Sequence, residues 1–106
     1  MGAPLSVVIL TLDEELNLPA CLPSVAFADE VFVVDSFSHD QTLDIARSAG
    51  AQVVQHPFAQ YADQRNWALD HLPFHHPWVL FLDADERVTA ELRREIEGIV
   101  IAAPED

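Results

Sequence analysis

The residues best suited to chemistry lie in the segment WVLFLDADERV, residues 78–88. Asp83, Asp85 and Glu86 follow directly after an apolar run in that segment. Carboxylates packed this closely repel one another unless a cation bridges them, and carboxylate oxygens are ligands that suit Mg²⁺ and Mn²⁺. Because hard divalent ions at strand ends commonly hold phosphates, the segment predicts a metal-dependent site for a nucleotide phosphate.

The spacing of Asp83 and Asp85 sharpens this hypothesis. In an extended chain, residues separated by one position point to the same side, so one carboxylate could bind a metal ion while the other binds a sugar hydroxyl. The alternative is that Asp85 and Glu86 only begin a helix, whose positive end favours acidic side chains. The aspartate pair favours a functional interpretation, whereas for Glu86 alone neither interpretation is preferred.

Two further side chains are candidates for binding a ligand. Asp35 ends the apolar run VFVVD and could accept hydrogen bonds from a nucleobase or ribose; alternatively, it stabilises a turn by accepting bonds from nearby backbone amides. Arg65 is the only Lys or Arg between Arg47 and Arg87. Its planar guanidinium suits a diphosphate, although a structural ion pair or a solvated helix charge would also explain it.

Composition excludes several classes of function. The chain has 18 acidic residues against five Lys and Arg, a net charge of −13, which argues against nucleic-acid binding and against attraction to a membrane by a basic patch. It has no lysine, so neither a Walker-A site nor a Schiff-base mechanism is available in this segment. The single cysteine, Cys21, excludes an internal disulfide and is expected to be a buried thiol.

The five histidines do not predict a metal site. His71, His75 and His76 surround the connector PFHHP without the spacing of a metal motif, so we expect a surface loop there. The chain contains no apolar run of the roughly 18–20 residues that span a bilayer, and its start lacks the basic region of a signal peptide. A cytoplasmic location is therefore expected.

The hydrophobic pattern alternates between strands and helices. Near-continuous apolar runs predict buried strands at 5–11, 30–35, 51–55 and 78–82. Helical spacing predicts helices at 14–25, 40–49 and 60–72, with a last helix capped by Thr89, while Asp13 and Asp40 are expected to cap the first two.

This β-α alternation predicts an α/β fold with a Rossmann-like, mostly parallel sheet of about four strands and helices on both faces. Ligands of such sheets bind outside the carboxyl ends of the strands. The polar residues that fall at those ends are Thr11, Asp13, Glu14, Asp35, Ser36, Asp83 and Asp85.

Four stretches carry a family resemblance: LSVVILTLDEELNLPACLPSV, DEVFVVDSFSHDQTLDIARSAGAQVV, YADQRNWAL and WVLFLDADERV. Together they resemble the nucleotide-binding half of family 2 glycosyltransferases of the GT-A fold. The resemblance is closest to the bacterial subgroup that builds lipopolysaccharide core and other surface glycans. It covers nearly the whole chain in the family's order.

The resemblance implies a role for six residues. Thr11 and Glu14 look like the residues that cradle the base, and Asp35 looks like the acid that contacts the base and its ribose. Arg65 is similar to the arginine of the donor-phosphate pocket. The two remaining residues, Asp83 and Asp85, look like a DxD pair, with Asp83 near the ribose and Asp85 on Mg²⁺ or Mn²⁺. The implied donor is a nucleoside-diphosphate sugar, with a UDP-sugar favoured.

Four positions depart from the family pattern. Phe37 and Gln41 stand where the family usually has glycine, His39 replaces Thr, and Asp13 replaces a common Asn. Because glycine often supplies a positive φ, the bulk of Phe37 is expected to narrow the pocket or to change the backbone path.

Residues 1–106 are thus interpreted as the donor-binding portion of one glycosyltransferase domain, without the acceptor-binding half that carries the general base. The implied reaction transfers a sugar, with inversion, to the hydroxyl of an acceptor glycan or lipid-linked glycan. This segment alone is expected to bind nucleotide weakly and to transfer no sugar. The full-length enzyme is expected to be cytoplasmic or peripheral at the inner membrane.

The principal alternative is a non-catalytic module that binds a nucleotide or a protein partner. Self-association is also expected if an apolar sheet edge or face is exposed. Two other acidic α/β folds fit less well. A response-regulator receiver requires a lysine, and a haloacid-dehalogenase-type phosphatase requires a small residue, then Thr or Val, where this chain has Glu86 and Arg87.

Overall fold

A computed structural model of the chain describes residues 2–57 and 61–102. Strands and helices alternate along the chain as predicted. The elements are β1 (Ala3–Thr11), α1 (Leu18–Ser24), β2 (Ala28–Asp35), α2 (Thr42–Ser48), β3 (Gln52–Gln55), α3 (Tyr61–His71), β4 (Val79–Asp83) and α4 (Ala90–Ala102).

The four strands form one parallel sheet in the order β3-β2-β1-β4. The predicted α/β fold with a parallel sheet is therefore confirmed. β1 is central and pairs with both β2 and β4, which explains why its run from Leu5 to Ile9 is buried on both faces. β3, with four residues, is an edge strand of the described sheet.

Side chains alternate between two apolar layers, one on each face of the sheet. Val7, Ile9 and Val33 pack with α1, α2 and α4, a layer that we call the first face. Val8 and Phe32 belong to the layer packed with α3, which we call the second face. Helices thus cover both faces, as predicted, and three of the four lie on the first.

The first helix is shorter than the predicted 14–25 because it begins only at Leu18. Glu14 O accepts hydrogen bonds from Asn17 N at 3.1 Å and from Leu18 N at 2.9 Å, so the chain turns before the helix. Pro19 in the first turn lacks an N–H group and fits that position. The predicted cap at Asp13 is wrong, since Asp13 takes a left-handed backbone with φ 53°.

The other helix starts agree more closely with prediction. Thr89 caps α4, as its Oγ1 accepts a bond from Leu92 N at 3.1 Å. The predicted cap at Asp40 lies one residue too early, since Gln41 is the N-cap of α2, although Asp40 Oδ1 accepts Thr42 N at 2.9 Å. Residue 60, the predicted start of the third helix, lies outside the described residues. In the described part of the chain, no helix is both long and apolar enough to cross a membrane.

Candidate functional site

The register of the sheet brings the predicted polar residues to one edge. Thr11 pairs with Asp35 across β1 and β2, and Leu10 pairs with Asp83 across β1 and β4. The carboxyl ends of these three strands therefore finish side by side. This edge, which we call the carboxyl edge, is where parallel sheets bind ligands.

Asp35 is the buried anchor of the carboxyl edge, with no exposed surface. Its Oδ1 accepts the hydroxyls of Thr11 at 2.7 Å and Ser38 at 2.5 Å. Its Oδ2 accepts Ser38 N at 2.8 Å and Gln55 Nε2 at 3.4 Å. An ionised carboxylate offers roughly four lone-pair sites, so these four donors fill its capacity.

The turn-stabilising alternative for Asp35 is therefore realised in this structure, since its carboxylate fastens the chain at Ser38. A ligand that donates to Asp35 would have to displace one of the four donors. The amide of Gln55 forms the longest of these bonds and lies at an exposed strand end. Binding of a base or ribose by Asp35 stays a prediction.

The loops after β1 and β2 are joined by reciprocal hydrogen bonds. Asp13 N donates to Ser38 Oγ at 2.8 Å, while Asp13 Oδ1 accepts His39 N at 2.7 Å. Three more bonds continue the seam: Glu14 N to Thr42 Oγ1, Glu15 N to Asp40 Oδ2, and Gln41 N to Glu15 Oε1. The two loops thus form a single platform beside the carboxyl edge.

Glu14 and Phe37 both belong to this platform. The Glu14 carboxylate accepts Asn17 Nδ2 at 2.9 Å, and its predicted contact with a base stays a prediction. Phe37 has φ 61°, so it takes the left-handed conformation that glycine adopts at no steric cost. The ring is about half exposed, at 49%. Phe37 thus preserves the backbone path that glycine favours and adds an aromatic side chain to the platform.

Asp83 ends β4, and the chain turns immediately after it. Glu86 N donates to Asp83 O at 2.9 Å, which closes a turn over residues 83–86. The prediction that Asp83 and Asp85 lie in an extended chain is therefore wrong. The Glu86 carboxylate accepts Asp83 N at 2.8 Å, so one of the three predicted carboxylates stabilises this turn.

The carboxylates at the end of β4 determine how a metal ion could be held there. Within residues 2–57 and 61–102, no three acidic, histidine or cysteine side chains are arranged to hold a metal ion. A three-carboxylate cage of Asp83, Asp85 and Glu86 is thus not formed. However, Mg²⁺ is commonly held by one or two carboxylates together with substrate phosphates. The half-buried Asp83 and the exposed Asp85 fit that mode.

Arg65 contacts β4 on the second face of the sheet. Its guanidinium carbon is 4.8 Å from the centre of the Phe81 ring, a cation–π contact. Phe81 and Asp83 are two residues apart on β4, so their side chains point to the same face. Thr11 and Asp35 belong to the first face by the same alternation. The carboxyl edge therefore has an anchored side and an arginine-bearing side.

Gln64 of α3, a polar residue not predicted to belong to the site, is only 1% exposed. Its Nε2 donates to Ser36 Oγ at 3.0 Å, and its Oε1 is 2.8 Å from Nδ1 of His56. Gln64, Ala68 and Leu72 recur every four residues, and the last two are buried. Helical spacing thus offered a signal that Gln64 faces inward.

The other reactive groups lie outside this arrangement. Cys21 is buried as predicted, and burial, followed by the negative charges of Glu86 and Asp85, raises its thiol pKa to about 11. His75 and His76 contact Glu30 and Asp29, each at 2.7 Å, beside the amino ends of the strands. A groove of about 820 Å³ opens between α1 and α2, but none of the six predicted site residues lines it.

Sequence comparison identifies relatives of the whole segment. The pattern described as Glycosyl transferase family 2 matches residues 6–98. An uncharacterised glycosyltransferase of Rickettsia bellii is 40% identical over 103 residues, covering 96% of this chain and 34% of that protein. The lipopolysaccharide core biosynthesis glycosyltransferase LpsC of Rhizobium meliloti is 35% identical over 107 residues, covering 96% and 39%.

Solved structures support the same relationship. Staphylococcus aureus TarS 1–349 in complex with UDP-GlcNAc superposes with a TM-score of 0.74 at 29% identity, covering 96% of this chain and 32% of that one. Glucosyl-3-phosphoglycerate synthase of Mycobacterium tuberculosis, in complex with Mn²⁺, UDP and glucosyl-3-phosphoglycerate, gives a TM-score of 0.63 at 28% identity. That match covers 78% of this chain and 34% of the synthase.

These relatives extend well beyond the compared segment, because this chain spans about a third of their length. The match is nonetheless continuous over almost the whole segment, and the sheet has the Rossmann-like form of the GT-A neighbours. Sequence pattern, identity and fold agree that the chain belongs to glycosyltransferase family 2.

Proposed function

We propose that this chain binds the nucleoside-diphosphate part of a sugar donor at the carboxyl edge. The protein to which it belongs would transfer the sugar, with inversion, to an acceptor hydroxyl. The observation that carries the proposal is the strand register, which aligns the ends of β1, β2 and β4 and leaves Asp83 and Arg65 on the same face. No residue of this chain is assigned as the general base.

Charge explains why the donor would require a divalent cation. The chain carries a net charge of −13, and Asp83, Asp85 and Glu86 crowd the end of β4. A diphosphate would be repelled by this surface unless a cation bridged the two. Mg²⁺ or Mn²⁺ on Asp85 would supply that bridge and neutralise charge on the departing diphosphate. Arg65 would donate to the phosphates from α3, and Asp83 would bind the ribose.

The platform beside the carboxyl edge would hold the base. Thr11 and Asp35 fasten the loops that form the platform, and Glu14 lies on it. We propose that the base rests against this platform, within reach of these three residues. The complexes of TarS with UDP-GlcNAc and of the mycobacterial synthase with Mn²⁺ and UDP support a UDP-sugar and a divalent metal.

The same comparisons support a proposal for the biological setting. The similarity to LpsC supports a role in the synthesis of lipopolysaccharide or another surface glycan, with a glycan or lipid-linked glycan as acceptor. Such an enzyme would act in the cytoplasm or at the inner membrane surface. β4 is the last strand in the order of the described sheet, and the backbone groups along its outer side would allow self-association of this segment through that strand.

Titration calorimetry of UDP tests the donor site. We expect the wild-type chain to bind UDP more tightly with Mn²⁺ than with EDTA, and Asp85→Ala to remove the metal-dependent gain. Asp70→Ala, an exposed acid on α3, is the matched control and should keep that gain. Binding that is unaffected by both metal and Asp85→Ala would refute the proposal. If a longer form of the protein bound UDP but transferred no sugar, the non-catalytic module would be favoured.

A further inference from the structure

Gln64 is the buried side chain that the proposed function does not use. A buried amide costs free energy unless it is hydrogen-bonded, and the bonds that satisfy Gln64 reach Ser36 and His56 at the carboxyl edge. We infer that Gln64 is a positioning residue, which fixes a donor on Ser36 and an acceptor on His56 to recognise the base of the bound nucleotide. The inference rests on the proposed function.

The orientation of the Gln64 amide follows from its partners. Its Nε2 is 3.4 Å from the backbone oxygen of His56, which can only accept a hydrogen bond. The amide nitrogen must therefore lie on that side, where it also donates to Ser36 Oγ at 3.0 Å. The amide oxygen then faces Nδ1 of His56 at 2.8 Å, so Nδ1 must carry the proton and donate it.

This arrangement fixes the tautomer of the neutral His56 ring. In neutral imidazole, a proton on Nδ1 leaves Nε2 as a lone-pair acceptor. The ring also stacks on Trp67, with centroids 4.1 Å apart and planes inclined by 25°. The stacking on Trp67 sets the plane of the ring, and the hydrogen bond from Nδ1 to Gln64 sets its rotation in that plane. The lone pair of Nε2 therefore has a defined direction at the end of β3.

Ser36 is fixed in a complementary way. Its backbone N donates to Thr11 O at 2.9 Å, which holds it at the carboxyl edge directly after Asp35. Because Ser36 Oγ accepts from Gln64, the hydroxyl hydrogen points away from that amide. Contact with Gln64 of α3 also places this hydroxyl on the second face, the side that carries Asp83 and Arg65.

A fixed donor and a fixed acceptor, both positioned by Gln64, select among bases. Uracil and guanine present a ring N–H next to a carbonyl oxygen, so His56 Nε2 can accept the N–H while Ser36 donates to the carbonyl. Cytosine presents a ring nitrogen lone pair in place of that N–H, which would oppose the lone pair of His56. The site should therefore prefer UDP to CDP, and Gln64 should set that preference.

Gln64→Glu tests the inference with little change of shape. A carboxylate cannot donate to Ser36, so the hydroxyl would turn to donate to residue 64 and be lost to the base. We expect the ratio of UDP to CDP affinity, measured with Mn²⁺ by calorimetry, to fall roughly five- to tenfold, the effect of one hydrogen bond. Gln52→Glu adds the same charge at an exposed position of β3 and should leave the ratio unchanged.

Ser36→Ala and Ser36→Thr provide a second pair if Gln64→Glu does not fold. Alanine should lower the UDP preference, and threonine, which keeps the hydroxyl, should retain it. A purely structural role would weaken UDP, CDP and pyrophosphate binding equally; that result, or an unchanged ratio in both Gln64→Glu and Ser36→Ala, would overturn the inference. A wild-type chain that binds neither nucleotide would instead refute the proposed function and the inference together.

Discussion

The carboxyl edge of the sheet and the opposite edge, where the strands begin and which we call the amino edge, each hold a carboxylate of β2. The groups that bond to these two carboxylates differ. At the carboxyl edge, Asp35 is bound by hydroxyl and amide groups, which do not titrate near neutral pH. At the amino edge, Glu30 accepts Ser6 Oγ at 2.6 Å together with the backbone N and the imidazole of His75 at 2.8 and 2.7 Å.

The difference is that an ionisable imidazole is among the hydrogen-bond partners at the amino edge, whereas those of Asp35 are hydroxyl and amide groups. The anchor of the proposed nucleotide site uses donors whose charge stays constant. At the amino edge, two contacts join the connector before β4 to β2. His75 contacts Glu30 and His76 contacts Asp29. The proposed nucleotide site thus lies beside the anchor at Asp35, while the contacts that contain an imidazole lie at the opposite edge.

Asp35→Ala should produce the largest effect on stability. The substitution leaves the buried Thr11 hydroxyl and the Ser38 amide without their acceptor, at a cost of about 3 kcal/mol in the free energy of unfolding. Urea denaturation would measure the loss, with Asp70→Ala as the exposed control. A loss below about 1 kcal/mol would show that the anchor is not built as described.

Glu30→Gln should have a smaller effect that depends on pH. Burial raises the pKa of Glu30, but the bonds from Ser6 and His75 outweigh it and hold the pKa below its ordinary value of 4.5. A lowered folded-state pKa stabilises the fold above that ordinary value, and the gain is lost as the pH falls through the folded pKa. We expect Glu30→Gln to cost about 1 kcal/mol at pH 7.

The cost should shrink toward zero as the pH falls below 4.5, and urea midpoints measured from pH 7 to pH 3 would follow it. Asp44→Asn, at an exposed acid of α2, is the control for general charge effects. A cost that stayed constant over this range would assign the effect of Glu30 to packing alone.

The pair Phe37→Gly and Phe37→Ala should show the smallest effect, with a reversed sign. At most positions glycine is less stable than alanine, but the left-handed φ of 61° costs alanine about 1 kcal/mol or more. Phe37→Gly should therefore be more stable than Phe37→Ala by about 0.5–1 kcal/mol. Thermal unfolding would compare them, and a more stable alanine variant would contradict the backbone assignment at this residue.

The sequence was sufficient to predict the alternation of elements, because buried parallel strands and amphipathic helices leave distinct periodic patterns. It was also sufficient to place Thr11, Asp35 and Asp83 at a shared edge, since the fold class alone requires it. The start of α1 was predicted too early, because Asp13 and the acids after it resemble a helix start. Their backbone instead bonds to the loop after β2, a contact that no local pattern reveals.

The polar network at the carboxyl edge was harder to predict for a related reason. Gln64 reads as an ordinary helix residue, and only its bonds to Ser36 and His56, 28 and 8 residues away, explain its burial. Likewise, the sequence left the role of Glu86 open, and the structure shows its carboxylate accepting a hydrogen bond from Asp83 N. Side-chain roles that depend on tertiary contacts therefore require the structure.

The state of Cys21 has a practical use. It is the sole sulfhydryl of the chain, it is fully enclosed, and it resists ionisation near neutrality. Maleimide dyes should therefore not react with Cys21 in the native protein. A second cysteine engineered at an exposed position would then be labelled selectively. Spectroscopic probes for distance measurement could then be attached without first replacing Cys21.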